Sequence, residues 1–205
     1  MPREDVRAKV LAAGRKVFSL KGYGPTRVSD IISEAGIARA TFYRYFPDKR
    51  QVFMEVIGAF LDTLYDTTRG YMLAEPFTLS NLEERMHRSL EYFYNLFLEN
   101  RELMSVYFHE QFGRDAGMYA IWDNFDMRMV SIFSKVIDEG KAAGVFRRVN
   151  TQLVSRALLV LFMQVPYHEI MVRGNTAIDV EGMAREMTAM AMRGLMMRTS
   201  GDEQG

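Results

Sequence analysis

The chain has 205 residues, of which 48% are hydrophobic, and its 26 basic and 26 acidic side chains give a formal net charge of zero. This hydrophobic content is enough to build a buried core and excludes an intrinsically disordered chain. Because the sequence contains no cysteine, disulfides, thiol nucleophiles and thiolate metal sites are also excluded.

Charge is distributed unevenly along the chain. Residues 1–50 contain 11 Lys and Arg against 5 Asp and Glu, whereas residues 51–205 contain 15 against 21. The first segment therefore carries +6 and the remainder −6, which favours a localised contact between the N-terminal region and a polyanion. The longest apolar run, residues 157–163, is far shorter than the roughly 18 residues that cross a bilayer. Since the charged N-terminus is also unlike a signal peptide, we expect a soluble, cytoplasmic protein with no membrane partner.

The first predicted helix covers residues 4–20, where apolar residues recur with a period of 3.6. It is followed by two short helices, joined by a tight turn, between residues 26 and 46. Thr26 is a typical N-cap residue, and Gly36 can adopt the left-handed conformation that ends a helix. In the second short helix, Phe42 and Phe46 fall on one side and are expected in the core. Cations, a hydroxyl and phenols fall on the other, as in a helix-turn-helix whose second helix enters the major groove.

A long helix is predicted to begin after Pro47. Asp48 is placed to cap this helix, and Gln51 is placed to complete a capping box. Apolar spacing extends the helix to about residue 69 with no flexible linker. The helix-turn-helix region would therefore continue directly into the rest of the chain.

The remaining chain also has helical periodicity and few strand signals. Pro166 lies inside one of these helices and predicts a kink or break at residues 163–166. The helices are expected at residues 80–99, 101–113, 117–140, 150–172 and 179–197, with a loop at residues 74–80.

Aromatic residues are concentrated between residues 60 and 133, which hold 15 of the 25 in the chain. Two interpretations stay open: these rings form ordinary core, or together with methionines they line a cavity for an apolar small-molecule effector. Four polar side chains could orient such a ligand. The candidate ligand-binding residues are Phe60, Phe93, Phe97, Tyr107, Phe108, His109, Gln111, Trp122, Phe125, Phe162, Gln164 and His168.

The last helix carries small and methionine side chains in adjacent rows, and an apolar helix precedes it. Two such helices from each chain could form the four-helix interface of a homodimer, with an intramolecular core as the alternative. The candidate dimer-interface residues are Leu158, Met183, Met187, Met190, Ala191 and Gly194.

Catalytic and metal chemistry find little support in the sequence. The three histidines are not spaced as helical metal ligands, and a site joining His109 and His168 with Glu110 or Glu169 is the only metal alternative. We predict no metal and no cofactor. Without a nucleophile elbow or a phosphate loop, we also predict no catalytic residues. A helical adaptor that binds only protein and an enzyme that uses the aromatic pocket remain alternative functions, which salt-dependent binding to duplex DNA would distinguish from a regulator.

Four motifs occur in a fixed order within residues 5–57: Phe18-Ser19-Leu20-Lys21-Gly22-Tyr23, Thr26-x-Val28, Ile31-x-x-x-Ala35-Gly36-Ile37 and Thr41-Phe42-Tyr43-x-Tyr45-Phe46-x-x-Lys49. With these motifs the sequence resembles the TetR family of bacterial transcriptional regulators. The resemblance implies an all-helical homodimer that binds a palindromic operator in double-stranded DNA. It further implies a ligand-responsive protein, by default a repressor that a small molecule releases.

The resemblance also assigns DNA contacts. It implies that Arg39 and Ala40 face base edges, in agreement with the ability of arginine to bind guanine and of alanine to approach a thymine methyl group. The implied phosphodiester contacts are Thr41, Tyr43, Tyr45 and Lys49. With the start of the preceding helix, the candidate DNA-binding residues are Thr26, Arg27, Ser29, Arg39, Ala40, Thr41, Tyr43, Arg44, Tyr45 and Lys49.

These expectations define an all-α fold with an N-terminal three-helix domain joined by a continuous helix to a C-terminal bundle. The predicted domains are a DNA-binding domain at residues 1–47, a ligand-binding and dimerisation domain at residues 48–198, and a disordered tail at residues 199–205.

Overall fold

A computed structural model describes residues 3–74, 78–110, 116–175 and 177–196. Within these ranges every regular element is helical, and an isolated antiparallel bridge joins Phe146 to Met196. The predicted all-α fold class is confirmed. The predicted tail at residues 199–205 and Pro76 of the predicted loop lie outside the described residues.

Nine α-helices occupy the described ranges, and a π-helical turn, His168–Val172, follows the eighth. The helices are α1 (Arg3–Lys21), α2 (Val28–Ala35), α3 (Arg39–Tyr45), α4 (Lys49–Leu73), α5 (Leu79–Glu99), α6 (Arg101–Glu110), α7 (Ala116–Ala142), α8 (Thr151–Tyr167) and α9 (Val180–Leu195).

The chain divides into two compact units. Unit 1 comprises Met1–Thr63 with Glu99–Asp123, and unit 2 comprises Leu64–Leu98 with Asn124–Gly205. Helix α4 begins in unit 1 and ends in unit 2. The functional boundary expected at residue 47 is a different division of the chain and stays a prediction.

Unit 1 is built on α1, which packs against α2 and α6. Its core is aromatic: the ring of Phe18 meets that of Phe53 edge-on, with 5.2 Å between centroids. Ion pairs reinforce the α1–α2 contact on the surface, with Lys16 Nζ 2.6 Å from Glu34 and Lys21 Nζ 3.1 Å from Asp30. Because both pairs are partly exposed, they add only modestly to the packing of α2 against the first helix.

Unit 2 has a close contact between the end of α7 and the segment that follows it. A Cβ atom on Gly140 would overlap the ring of Phe146, so this helix position requires glycine. The next residue, Arg147, donates its backbone N–H to Leu195 O and its Nε to Gly194 O, at 2.9 and 2.7 Å. Arg147 thereby satisfies carbonyl groups at the C-terminus of α9.

One predicted detail of the helices is wrong, and one of two alternatives for another is excluded. Helix α2 has Arg27, not Thr26, at its N-cap position, and the N–H of Arg27 is bonded by the Asp30 carboxylate of the first turn. Of the kink or break expected at residues 163–166, the break is wrong, because helix α8 continues through Pro166 to Tyr167. A kink there stays a prediction, and a wider π-helical turn follows the helix. The predicted cap Asp48 is confirmed, since its carboxylate oxygen accepts the backbone N–H of Gln51. Asn150 and Asp179 cap α8 and α9 in the same way, by accepting the N–H groups of Leu153 and Gly182.

Candidate DNA-binding helix pair and ligand cavity

The turn between α2 and α3 depends on Gly36. This residue adopts the left-handed conformation, with φ 63° and ψ 39°. Its N–H bonds to Ser33 O, and the N–H of Ile37 reaches back to Ile32 O at 3.3 Å. These bonds satisfy carbonyls in the last turn of α2, and α3 begins three residues after Gly36, at Arg39. The turn predicted at Gly36 is confirmed.

Helix α3 is anchored by two aromatic side chains. Phe42 and Phe46 are both 0% exposed, as predicted from their spacing. On the opposite side, Arg39, Ala40, Tyr43 and Arg44 are exposed, while Thr41 and Tyr45 are half-buried. The helix therefore presents guanidinium, hydroxyl and phenol groups to the outside from a fixed base.

The cations on α3 differ from those on α1. On α1, Arg7 pairs with Glu55, and the two lysines described above pair with carboxylates on α2. In the part of the chain that the structure describes, Arg39 and Arg44 form no ion pair, and the Arg39 guanidinium lies 5.6 Å from the centre of the Tyr43 ring. Much of the positive charge elsewhere in unit 1 is neutralised locally, whereas that on α3 remains available to an anion.

The start of α2 contains three predicted DNA contacts. Arg27 and Ser29 are exposed, but Thr26 is only 1% exposed and its hydroxyl bonds to Gly22 O at 2.6 Å. Asp30 accepts the backbone N–H of Arg27 at 2.8 Å. That bond, with the Lys21 ammonium, lowers the pKa of the Asp30 carboxyl group. Thr26 thus has an internal hydrogen-bond partner in place of the predicted DNA contact.

Lys49 also turns toward the protein. Its Nζ donates to the carbonyl oxygens of Tyr23, Gly24 and Thr26, at 2.8, 3.0 and 2.8 Å. The same ammonium lies 4.5 Å from the centre of the Tyr23 ring. Burial lowers the pKa of Lys49, while the three carbonyls favour the charged form and oppose that shift. No pattern in the sequence distinguishes this arrangement from a phosphate-binding lysine.

Unit 2 contains a small apolar cavity with a volume of ≈ 20 Å³, which is room for about one water molecule. Helices α4, α5, α7 and α8 contribute its walls. The only polar side chains among the lining residues are the hydroxyls Thr68 and Ser89, and no lining residue is charged. The lining residues are Thr68, Met72, Met86, Ser89, Leu90, Phe93, Met129, Phe133, Leu159, Phe162 and Met163.

The structure separates the predicted ligand-binding residues into several groups. Phe93 and Phe162 line the cavity, whereas Phe97 and Phe125 are buried elsewhere in unit 2. Phe60, Phe108 and Trp122 belong to the buried core of unit 1. Gln164 and His168 are exposed on α8 and the π-helical turn. Gln111 and the side chains of Tyr107 and His109 lie outside the described residues.

The predicted ligand-binding residues include none of the four methionines in this cavity. Met72, Met86, Met129 and Met163 are all nearly buried and converge on it from four helices. Their spacing shows only that each lies on an apolar helix face. The convergence depends on how the helices pack, which periodicity does not specify.

The predicted dimer-interface residues fall into two groups. Leu158 and Ala191 are buried inside unit 2, whereas Met183 and Met187 are half-buried and Met190 and Gly194 are exposed. Helix α8 adds an exposed apolar stripe that we did not predict, formed by Leu153, Ala157 and Val160. The spacing of these three residues, four and then three, is a sequence signal that could have found it.

The described residues offer neither a metal site nor a membrane-spanning helix. Among these residues there is no group of three or more His, Asp or Glu side chains that could hold a metal ion. None of the described helices combines the length and apolar character needed to span a membrane.

The geometry of α2, the Gly36 turn and α3 defines a helix-turn-helix protein, and comparisons with known sequences identify its family. A profile described as "Bacterial regulatory proteins, tetR family" matches residues 10–56. A second, described as "Tetracyclin repressor-like, C-terminal domain", matches residues 80–195, which is more than half of the chain. The chain belongs to the TetR family.

Individual relatives match only part of the chain, at modest sequence identity. The HTH-type transcriptional regulator EthR of Mycolicibacterium smegmatis is 31% identical over 97 residues, covering 46% of this chain and 42% of that protein. The chain spans about half the length of the curated relatives that it matches first.

Solved structures align over nearly the whole chain. A TetR-family transcriptional regulator from Streptomyces coelicolor has a TM-score of 0.76 at 17% identity, covering 93% of this chain and 80% of that one. The transcriptional regulator FadR from Bacillus subtilis, in complex with stearoyl-CoA, has a TM-score of 0.74 at 16% identity, covering 91% and 98%. At such identities the likeness shows the fold alone.

Proposed function

We propose that the protein is a DNA-binding transcriptional regulator whose α3 enters the major groove. The observation that carries this proposal is the arrangement of α3 on a TetR-family fold. Two fully buried phenylalanines hold the helix, and the arginines Arg39 and Arg44 project from it without ion pairs among the described residues. A guanidinium can donate two hydrogen bonds to a guanine edge, and phenols suit phosphate oxygens.

The regulator acts as a homodimer in this proposal. Two apolar surfaces would be covered by the same helices of a second chain, which would remove them from water. They are the exposed stripe of α8 and the row formed on α9 by Met183, Met187 and Met190. Two-fold symmetry requires a palindromic operator, whose half-sites would lie about 34–36 Å apart on one face of the duplex.

An apolar small molecule is the proposed effector, and release from DNA is the proposed response, as in a repressor. The cavity of unit 2 has apolar walls with two hydroxyls, so it suits an uncharged apolar group such as an acyl chain or a ring. Its volume is too small for such a group, so binding must open it. The methionines are the side chains best able to rearrange, because their unbranched chains have many rotamers. The stearoyl-CoA complex of FadR on the same fold supports an acyl effector.

Helix α4 supplies the proposed coupling. Thr68 and Met72, near its C-terminus, line the cavity, and Lys49 at its other end bonds to the loop before α2. An effector shifts the population of DNA-competent dimers only by its differential affinity for the two states. Coupling of this kind is typically about 1–3 kcal/mol, or roughly 5–150-fold in affinity.

DNA binding is tested by measuring affinity for a random-sequence duplex as the salt concentration rises. The logarithm of the association constant should fall linearly with the logarithm of salt, because bound cations release counterions from phosphates. Arg44→Ala should make this slope shallower by about one. Arg148→Ala, which removes an exposed arginine of unit 2, is the matched control and should leave the slope unchanged. A protein that binds no duplex at low salt would end the proposal.

The effector site is tested with stearoyl-CoA and decanol as probes. Leu90→Phe enlarges a buried side chain that lines the cavity, so it should abolish the effect of either probe on DNA affinity while leaving DNA binding without a probe intact. Met86→Leu conserves volume in the same cavity and serves as the control. If Leu90→Phe responds to a probe as the unaltered protein does, the effector site lies elsewhere.

A further inference from the structure

The loop between α1 and α2 converges on one ammonium group. Lys49 is the first residue of α4, and its Nζ donates to three carbonyls of that loop, those of Tyr23, Gly24 and Thr26. All three N–O distances are 3.0 Å or less. A protonated lysine has three N–H donors and no acceptor, so these bonds use its full donor capacity. None is left for a phosphate oxygen unless a bond to the loop breaks.

The surroundings of Lys49 make such an exchange unfavourable. The Tyr23 ring lies beneath the ammonium at 4.5 Å and packs against Phe53 of α4, with 4.6 Å between ring centroids, and against Phe18 of α1 at 5.9 Å. The side chain of Lys49 is thus held by a ring that is itself held by two helices. A cation over such a face is further stabilised by the ring quadrupole.

The loop leads directly into the helix-turn-helix. The Thr26 hydroxyl donates to Gly22 O, and the next residue, Arg27, is the N-cap of α2. The position of α2 therefore depends on the path of residues 23–26. Three of the carbonyls on this path bind Lys49, so the first turn of α4 and the start of α2 are tied through a single side chain.

We propose that Lys49 is a positioning residue, which sets the orientation of α2 and α3 by fixing the loop before them to α4, and is not a phosphate contact. This inference rests on the proposed DNA-binding function, and it reverses the role that the sequence resemblance implied for Lys49. Its consequence is that α4 and the helix pair move together, because the ammonium transmits any displacement of the first turn of α4 to the loop.

Two substitutions in the full-length protein separate the two roles. Lys49→Met keeps the aliphatic stem over Tyr23 but removes the charge and all donors. Lys49→Arg keeps the charge but replaces three diverging donors with a planar fork, which cannot meet three carbonyls in the same geometry. Arg44→Met is the control, because it removes an exposed cation of α3 without changing the loop.

The measurements are hydrogen exchange of the amides of residues 22–28 and the salt dependence of binding to a random-sequence duplex. For a positioning residue, both Lys49 variants exchange faster across the loop by about tenfold or more, the change expected when one charge-assisted hydrogen bond is lost. Both also bind duplex more weakly, yet Lys49→Met keeps the salt slope of the unaltered protein. Arg44→Met gives a shallower slope and unchanged exchange.

Other results overturn the inference. If Lys49→Met has a salt dependence of duplex binding that is shallower by about one, and its loop amides exchange at the normal rate, then Lys49 is a phosphate contact. If Lys49→Arg binds duplex and exchanges the loop amides as the unaltered protein does, a positive charge alone positions the loop and the three lysine hydrogen bonds are not required. If the unaltered protein binds no duplex, the DNA-binding proposal fails by itself, and the exchange data still decide whether the ammonium fixes the loop.

Discussion

Arg39 is the residue on which sequence recognition by α3 would depend. It lies in the first turn of the helix, and the neighbouring Tyr43 ring, 5.6 Å from its guanidinium, restricts the directions in which it can extend. A stacked guanidinium loses less freedom on binding than an unrestrained one. Arg39 is therefore better suited to a base edge than Arg44, for which a phosphate is sufficient.

Arg39→Ala should weaken binding to the operator by about 1–3 kcal/mol, the typical value of a bidentate arginine–guanine contact. On an operator already altered at the contacted base pair, the loss should be much smaller. Competition titrations with the two duplexes give both numbers. Equal losses on the two duplexes would place Arg39 on the phosphodiester backbone instead.

Gly140 offers a second test at the scale of one residue. A methyl group there would overlap three carbons of the Phe146 ring, so Gly140→Ala should destabilise unit 2 by about 1–3 kcal/mol through overpacking. The matched control is Gly70→Ala, at an open position of α4 with no atom within 4 Å of the added carbon. It should stabilise the helix by roughly 0.5–1 kcal/mol. Urea unfolding of both variants checks the pair, and a stable Gly140→Ala protein would mean that Phe146 is free to move.

At the scale of the helix, the C-terminus of α4 is held by Arg85 of α5. The Arg85 guanidinium donates to the carbonyls of Tyr71, at 2.8 Å, and Met72, and to Asn81 Oδ1 at 3.3 Å. These carbonyls belong to the last turn, where no intrahelical partner is available. Met72 and Met86, which line the cavity, are the immediate neighbours of these contacts.

Arg85→Ala should therefore accelerate amide exchange in the last turn of α4 and lower stability by about 1–3 kcal/mol, as expected for hydrogen bonds to a charged donor. Arg88→Ala, which removes an exposed pair with Glu84, should cost at most about 1 kcal/mol. Exchange of the amides of residues 71–74, with urea unfolding, makes the comparison. If Arg85→Ala and Arg88→Ala have the same stability and the same exchange rates, then water replaces the hydrogen bonds of Arg85 without loss of stability.

The beginning or end of a helix was predictable from the sequence where a single residue determines it. Gly36, Asp48 and Asn150 end or begin helices through contacts within a few positions, so their effects can be read from spacing. Pro166 left a kink and a break as alternatives, because its missing N–H does not decide whether the surrounding bundle still holds the backbone helical. The buried and exposed sides of α3 were predictable for the same reason, because the spacing of Phe42 and Phe46 decides them. The roles of Thr26 and Lys49 depend on partners 4 and 23–26 residues away, which only the folded chain specifies.

At the scale of the whole molecule, the proposed dimer depends on surface that a single chain leaves exposed. Met190 of α9 is 47% exposed, and Leu153 and Val160 of α8 are more so. Buried apolar area drives association, and a charge placed in such an interface is costly unless it is paired.

Met190→Glu should therefore shift the protein toward monomer and weaken operator binding, because two half-sites would no longer be met by one particle. Met127→Glu is the matched control: Met127 is 54% exposed on α7, outside the proposed interface. Sedimentation velocity at micromolar concentration distinguishes the two variants. A Met190→Glu protein that sediments like the unaltered one would exclude α9 from the interface.

The distribution of methionines has a consequence for the chemistry of oxidation. Peroxide converts an accessible methionine to its sulfoxide, and in a chain without cysteine no thiol competes for the oxidant. Met127 and Met190 have similar exposure in the single chain, whereas the four methionines around the cavity are nearly buried. Peptide mass spectrometry after brief peroxide treatment should thus find Met127 oxidised before Met190 if dimers cover α9. If dimers do not cover α9, the two methionines should be oxidised at similar rates. If an effector opens the cavity and leaves the four cavity methionines accessible, their oxidation should increase. A polar sulfoxide on the cavity wall would in turn weaken binding of an apolar ligand. The unmodified sequence thus contains its own reporters of assembly and of cavity opening.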